Sequence, residues 1–313
     1  MDPKNLFAWR DVLFEYVGFL SSYGMLGAIG FRYGILRALG SPRAQNDSPL
    51  AGPFGKSAAS AVGVGLLGVA LGVVSLIAGL LKRAASKHQT FSEAFGAGGA
   101  TSVAQVVLLA VLLAGFVLAW RRLSIGWPIA GVAALAFALR NLLAGHLAGM
   151  VNPLHVLGGS LWLGTLFVLV VCGLGQMLHS SVPVAEREQA VAEMVHRFSM
   201  VALAGAALLA LTGLITSWTH LKPLAALWTT PYGYALIAKL CVVGVVAGLG
   251  AWNWQRVGPS LGTAGGALAI RRTASTELVF AALVLLLTAI LVSLPSPKLP
   301  AHSAAAPSAK LNP

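Results

Sequence analysis

Long apolar runs, separated by short segments that carry most of the charges, dominate this sequence of 313 residues. A helix needs about 20 apolar residues to cross the hydrocarbon core of a bilayer, so each run is long enough for one span. The predicted spans are residues 9–36, 60–81, 101–120, 127–146, 154–178, 198–218, 232–252 and 275–294. The predicted fold class is therefore all-α, a polytopic integral membrane protein with about eight transmembrane helices in one bundle.

The composition excludes a soluble enzyme. Charged residues make up 10% of the chain and hydrophobic residues 57%, whereas soluble domains carry about 25% charged residues. A soluble domain of this length would need more charge to cover its surface. We expect one transmembrane domain over residues 1–294. Residues 295–313 are rich in Pro, Ala and Ser, and we expect them to form a disordered tail.

Two GxxxG pairs lie within the predicted spans. Gly68 and Gly72 belong to the second span, and Gly244 and Gly248 belong to the seventh. Glycines at this spacing let neighbouring helices approach closely in a bilayer. Both pairs therefore predict helix packing rather than chemistry.

The net charge of +12 comes from basic residues at the ends of the apolar runs. This pattern indicates membrane topology, with the lipid bilayer as the partner and no nucleic acid. The loops after the odd-numbered spans carry 11 Lys and Arg and the opposite side carries 8. The positive-inside rule then predicts both termini outside, although the cluster Lys82, Arg83 and Lys87 argues the other way.

The segment GPFGKS at residues 52–57 is similar to the end of a phosphate-binding loop. That pattern needs a glycine at position 50, where this chain has Leu50, and a strand before the loop. A short loop between membrane helices provides neither. We therefore expect no nucleotide partner and no ATP hydrolysis.

Three histidines fall at the outer ends of the fourth, fifth and sixth predicted helices, namely His146, His155 and His220. A short turn that contains Met150 separates His146 from His155, so their helices must be antiparallel neighbours. Imidazole and thioether ligands suit copper. The predicted metal site consists of His146 and His155, with Met150 and His220 as further candidates. The alternative is that each histidine caps a helix end or faces interfacial water.

Among the charged residues inside the predicted spans, two acids and two bases lie at similar depth, namely Asp11, Glu15, Arg140 and Lys239. At a rise of about 1.5 Å per residue, all four fall in the outer half of the membrane. Isolated charges in a bilayer are costly, so these residues need partners or a function. Glu15 with Lys239, or Asp11 with Arg140, would form structural ion pairs, or the four would line an ion path; both roles can hold. No catalytic residue is predicted.

The segment LRNLLAGHLAGMVNPLHVLGGSLWLGTLFVL at residues 139–169 resembles the core of the CopD copper-resistance family. Three later segments follow in the order and spacing of that family. They are RFSMVALAGAALLALTGLITSW from Arg197, TTPYGYALIAKL from Thr229, and LVSLPSP at the close of the eighth span. The resemblance extends across residues 139–297.

The resemblance implies an eight-helix protein of the bacterial inner membrane that participates in copper uptake and is not an enzyme. The histidine of the family's GH motif falls on His146, the one that opens LHVLGGSLW on His155, and the lysine after PYG on Lys239. The implied cargo is a copper ion, and the termini would be periplasmic. A separate periplasmic copper-binding protein is the implied partner. The chain departs from the family pattern in its basic segment at residues 82–100.

Two alternative functions remain open at this point. Histidines on neighbouring helices also serve as axial haem ligands, so the first alternative is a haem b-binding membrane oxidoreductase of the HemJ type. The second is a copper-handling helper that transports nothing. The metal and haem content of the purified protein would separate these readings.

Overall fold

The computed structural model describes residues 9–39, 49–140, 147–220, 225–263 and 265–294, and every regular element within these ranges is a helix. Seven helices are long and apolar enough to cross a membrane. They are α1 (Trp9–Leu36), α2 (Ala51–Lys87), α4 (Gly99–Trp120), α6 (Val151–Leu178), α7 (Val184–His220), α9 (Pro231–Ser260) and α10 (Gly266–Ser293). The predicted all-α polytopic membrane class is confirmed.

Three shorter helices complete the described chain: α3 (Phe91–Gly96), α5 (Gly126–Leu139) and α8 (Ala226–Thr229). α5 corresponds to the fourth predicted span, and its described part is a 14-residue apolar helix. The rest of that predicted span, residues 141–146, lies outside the described residues. The predicted tail at residues 295–313 also lies outside them.

α2 and α7 begin well before their predicted spans. α2 starts at Ala51 and α7 at Val184, whereas the apolar pattern predicted starts at residues 60 and 198. The added turns of α7 contain Ala, Glu, Gln and Arg, which are good helix formers even where they are too polar for the bilayer. The added turns of α2 have Pro53 in the first turn, where a proline is tolerated. The GPFGKS segment consequently lies within the first turns of α2 rather than in a loop.

Local sequence signals explain several helix starts. The Thr230 side chain accepts a hydrogen bond of 3.0 Å from the Gly233 amide, and Pro231 is the first residue of α9. Pro is favoured there because that position needs no amide hydrogen. Thr90 and Glu93 form a capping box at α3. These hydrogen bonds to Thr90 hold the pKa of the exposed Glu93 carboxyl below its ordinary value.

α1 is the central helix and packs against α2, α5, α6 and α10. The Ser21 hydroxyl on α1 donates a 2.8 Å hydrogen bond to the Gly68 carbonyl on α2. A Cβ atom on Gly68 would come within 2.8 Å of the Met25 backbone nitrogen. The Gly68 and Gly72 pair therefore packs as predicted. Around Gly244 and Gly248 of α9, no neighbouring atom lies within 4 Å of such a Cβ position.

α1 and α6 run parallel and touch through their backbones. A Cβ atom on Gly27 would lie 2.4 Å from the Gly164 carbonyl oxygen. Gly164 ends the first of two π-helical segments in α6, Ser160–Gly164 and Leu169–Leu174. α6 is the most buried of the spans. α7 packs against α6, while α9 packs mainly against α10.

The order of the helices defines two ends of the bundle. We call the end that holds the starts of α1, α6 and α9 the near end, and the end that holds the starts of α7 and α10 the far end. The antiparallel pair α1 and α2 illustrates the arrangement, because Asp11 at the start of α1 contacts Lys82 toward the end of α2 at 3.0 Å.

Candidate functional site

His155 lies near the start of α6, where it is partly buried against α7. Its Nδ1 atom is 3.0 Å from the Oγ1 atom of Thr212, whose side chain is buried. The ring also lies against Gly213, where a Cβ atom would come within 3.3 Å of the His155 Cε1 atom. The glycine thus leaves room for the ring, and the neighbouring threonine fixes its orientation.

The hydrogen bonds of Thr212 favour a proton on Nδ1 of His155. The Thr212 hydroxyl donates to the Leu208 carbonyl oxygen one turn earlier on α7, at 2.6 Å. A hydroxyl group has a single hydrogen. When that hydrogen is donated to Leu208, the Thr212 oxygen can only accept from His155, and the hydrogen in the contact between Oγ1 and Nδ1 is carried by Nδ1. The Nε2 atom then has a free lone pair. A neutral imidazole held through its other nitrogen is the usual state of a metal-ligating histidine.

Lys239 lies on α9 at the near end and is partly buried. Its charge acts on the His155 ring, so α9 contributes to the electrostatics of the ring that α6 and α7 position. An ammonium group near the ring repels any cation bound to Nε2.

The predicted ion pairs at the near end are wrong. Neither Glu15 with Lys239 nor Asp11 with Arg140 forms one. Within the described ranges, the ion pairs are Asp11 with Lys82 at 3.0 Å and Glu193 with Arg197 at 2.6 Å. Glu15 lies one turn further into α1, within electrostatic range of Lys82 and Asp11.

Arg140 follows the end of α5 and interacts with neutral groups. Its guanidinium lies 4.1 Å from the centre of the Phe137 ring and donates to the Phe137 carbonyl oxygen. It also lines a small polar cavity with side chains of α1, α2 and α4, among them Ser21, Ser22, Ser75 and Gln105. Hydroxyl and amide dipoles, rather than an acid, surround this cation.

The remaining predicted ligands are only partly placed. His146 lies outside the described residues. Met150 and His155 lie on the same helix, Leu147–Gly159, so the predicted turn that contains Met150 is wrong. His220 ends α7 at the near end, and the side-chain positions of Met150 and His220 lie outside the description. In the part of the chain that is described, no three His, Cys, Asp or Glu side chains gather closely enough to hold a metal ion. His155 is the predicted ligand whose surroundings the structure shows.

Three functional candidates were missed by the sequence analysis, namely Thr212, Asn253 and Glu277. Glu277 lies within the predicted span 275–294, so the argument used for the other intramembrane charges could have found it. Its buried carboxyl group accepts a hydrogen bond from the Asn253 Nδ2 atom. Asn253 opens the π-helical segment Asn253–Val257 at the far end of α9.

Glu188 has a structural role at the far end. Its buried carboxylate on α7 accepts hydrogen bonds from the Gly265 and Ala267 amides at 3.4 and 2.8 Å. These amides lie at the start of α10, where helix amides lack partners within the helix. A negative charge there is also favoured by the helix dipole. Glu188 therefore ties α7 to α10.

Residues 192–291 match the family model CopD, described as Copper resistance protein D. The match covers most of α7, all of α9 and nearly all of α10, and includes Thr212, Lys239 and Glu277. His155 and α1 to α6 lie outside it. Neither a curated protein nor a solved structure matches the chain. The resemblance predicted from the sequence is thus confirmed over residues 192–291, which are similar to the copper resistance protein D family.

Proposed function

We propose that this protein carries copper ions inward across the bacterial inner membrane and thereby contributes to copper homeostasis. The family match supports a role in copper resistance, and the seven membrane-length helices support a multi-pass protein. The observation that carries the proposal is the hydrogen bond from His155 to Thr212, which leaves Nε2 of His155 free to bind a metal ion.

In this proposal His155 receives the ion at the near end, which faces the periplasm. His146, Met150 or His220 would supply further ligands, and an imidazole and thioether set suits the reduced ion. A separate periplasmic copper-binding protein would deliver the cargo. The repulsion from Lys239 keeps the residence time short, as a transfer site requires.

The ion path would continue along the polar groups of the near half, including Asp11, Glu15 and Arg140. The membrane potential supplies about 2.3 kcal/mol per charge for each 100 mV. This energy is sufficient for inward movement of a cation, so the proposal needs no ATP hydrolysis. Transport, rather than catalysis, is the proposed activity.

Copper accumulation in cells tests the proposal. We expect cells that express the protein to accumulate more copper than cells that lack it, and His155→Ala to remove most of the difference. His179→Ala is the matched control, because His179 is an exposed histidine at the far end whose Nδ1 interacts with the Gly175 carbonyl oxygen. Both variants must be present at wild-type levels in the membrane.

The purified protein distinguishes the other readings. Copper bound to the wild type and lost in His155→Ala supports the proposed site. A Soret absorption band lost in the same variant would instead favour the haem-binding oxidoreductase. Copper binding without any protein-dependent copper accumulation would favour the non-transporting helper.

A further inference from the structure

The buried pair Asn253 and Glu277 joins α9 to α10 far from the His155 site. Asn253 is 8% exposed and Glu277 is 4% exposed. The Asn253 Nδ2 atom donates a hydrogen bond to Oε1 of Glu277. The other polar atom of that amide, Oδ1, is buried and has no hydrogen-bond partner in the described part of the chain.

The unpartnered Asn253 Oδ1 atom indicates the protonation state of Glu277. A carboxylate offers only acceptors, so it cannot satisfy the Asn253 Oδ1 atom. A carboxylic acid has one O–H donor and keeps an acceptor for Nδ2–H. An acid and an amide side by side then form a ring of two hydrogen bonds. Because buried polar groups are normally paired, the geometry fits a protonated Glu277.

Within the described ranges, no Lys or Arg forms an ion pair with Glu277. The Arg187 Nε atom on α7 is buried but makes no hydrogen bond in the described part of the chain. The basic residue nearest to Asn253 along α9 is Arg256, whose guanidinium lies 5.5 Å from the centre of the Trp252 ring. On α7, Glu188 accepts from the start of α10 and Glu193 pairs with Arg197.

The other helices packed against α10 provide no counter-charge either. On α1, Arg32 lies 5.7 Å from the centre of the Trp127 ring, and on α6 the titratable Cys172 is buried in the apolar core. Of the arginines on α10, Arg272 is exposed and Arg271 partly so. Within the described ranges, the hydrogen-bond partner of the Glu277 carboxyl is Asn253.

The position of the pair relates it to the His155 site. Asn253 follows Lys239 by 14 residues on α9, which corresponds to about 21 Å along the helix. The two sites therefore lie toward opposite ends of one helix and can be occupied together. Asn253 also begins a π-helical segment, and such segments occur frequently at functional sites.

We propose that Glu277 and Asn253 form a proton-binding site, and that the proton held by Glu277 enters the cell together with the copper ion. This inference rests on the proposed function. A protonated Glu277 presents no negative charge, so a copper cation can leave the bundle at the far end without being trapped. The carboxyl O–H bond then breaks heterolytically, the electron pair stays on the carboxylate, and the proton passes to water on the cytoplasmic side.

Glu277→Gln tests the inference directly. The glutamine amide can donate to Oδ1 and accept from Nδ2 of Asn253, so both hydrogen bonds and the packing are kept, but no proton can be released. Glu193→Gln is the matched control, since Glu193 is a half-exposed acid paired with Arg197. The full chain is reconstituted in lipid for each measurement.

The first measurement uses no copper. At neutral pH the infrared spectrum of the wild type should show the carbonyl stretch of a buried carboxylic acid. The band should persist in Glu193→Gln and disappear in Glu277→Gln. Absence of the band, or its persistence in Glu277→Gln, overturns the proton-binding site.

The second measurement follows copper and internal pH in proteoliposomes. In the wild type, copper entry should acidify the lumen, and an acidic exterior should accelerate copper uptake. Glu277→Gln should lose both effects while it still takes up copper. Equal acidification in Glu277→Gln, or copper entry without acidification in the wild type, overturns the coupling. A wild type that carries no copper contradicts the proposed function instead, and the infrared result still decides the proton site.

Discussion

His155 and Thr212 approach to 3.0 Å between Nδ1 and Oγ1, although they are 57 residues apart in the sequence. The contact joins α6, which precedes the family match, to α7, which lies largely within it. Because Thr212 also donates to the Leu208 carbonyl, this one hydroxyl sets both the tautomer and the orientation of the ring. It is therefore a positioning residue for the proposed copper ligand.

Removal of the Thr212 hydroxyl should weaken copper binding while the shape of the side chain is kept. We expect Thr212→Val to reduce copper affinity by about 10- to 100-fold, the usual cost of losing the partner that orients a metal-ligating histidine. Competition with a Cu(I) chelator on the purified protein measures the affinity. Thr212→Ser keeps a hydroxyl and should restore most of it.

A structural effect alone would give a different pattern. Thr288 on α10 also donates to a backbone carbonyl one turn earlier, that of Val284 at 2.7 Å, so Thr288→Val is the matched control. Nitrogen NMR of labelled histidine should show the Nδ1–H tautomer of His155 in the wild type and a mixture in Thr212→Val. Unchanged tautomer and affinity in Thr212→Val would contradict the assignment.

Replacement of Lys239 should change the copper affinity in the opposite direction. Its charge acts on the His155 ring, so Lys239→Met should remove a repulsion and raise copper affinity at that ring. A gain of about tenfold, ~1.4 kcal/mol, is reasonable for two partly screened charges. Transport should slow in the same variant because release becomes slower. Weaker copper binding in Lys239→Met would mean that the lysine supports the site rather than opposing the ion.

The apolar runs gave the fold class because span length is a local property. Each run carries its own signal for crossing the bilayer, and seven of the helices have membrane length. The ends of the helices were less predictable, since polar helix formers extend α2 to Lys87. Lys82 thereby became a helical neighbour of Asp11 instead of a loop residue, and the predicted partner of Asp11 was wrong.

The site was only partly predictable for a related reason. His155 and Lys239 can be identified as candidate site residues from their side-chain chemistry alone. Thr212 cannot, because threonines in membrane helices commonly donate a hydrogen bond to a backbone carbonyl of the preceding turn. Its role depends on which helix packs beside it. The same holds for glycine pairs: Gly68 packs against α1 while Gly244 has open space, a distinction that spacing alone does not contain.

The contact of Gly27 with Gly164 predicts a strong packing effect. A Cβ atom on Gly27 would lie 2.4 Å from a backbone oxygen, and backbone cannot rotate away as a side chain can. We expect Gly27→Ala to cost about 1–3 kcal/mol in stability, as overpacked cores do. Thermal unfolding in detergent measures the change. Gly244→Ala has no atom within 4 Å and should leave the transition unchanged or slightly raise it.

The orientation of the bundle is the last prediction. The described spans alternate in direction, and in the sequence the segments after the odd-numbered predicted spans carry 11 Lys and Arg, against 8 on the opposite side. The positive-inside rule then places the far end in the cytoplasm and His155 toward the periplasm. A reporter enzyme that is active only in the periplasm should therefore be active when fused after residue 313. The same reporter fused within the α4–α5 turn, at residues 121–125, should be silent, and a cytoplasmic reporter should give the reverse pattern. If both fusions reverse, His155 faces the cytoplasm and the near end becomes a release site for copper instead of an entry site.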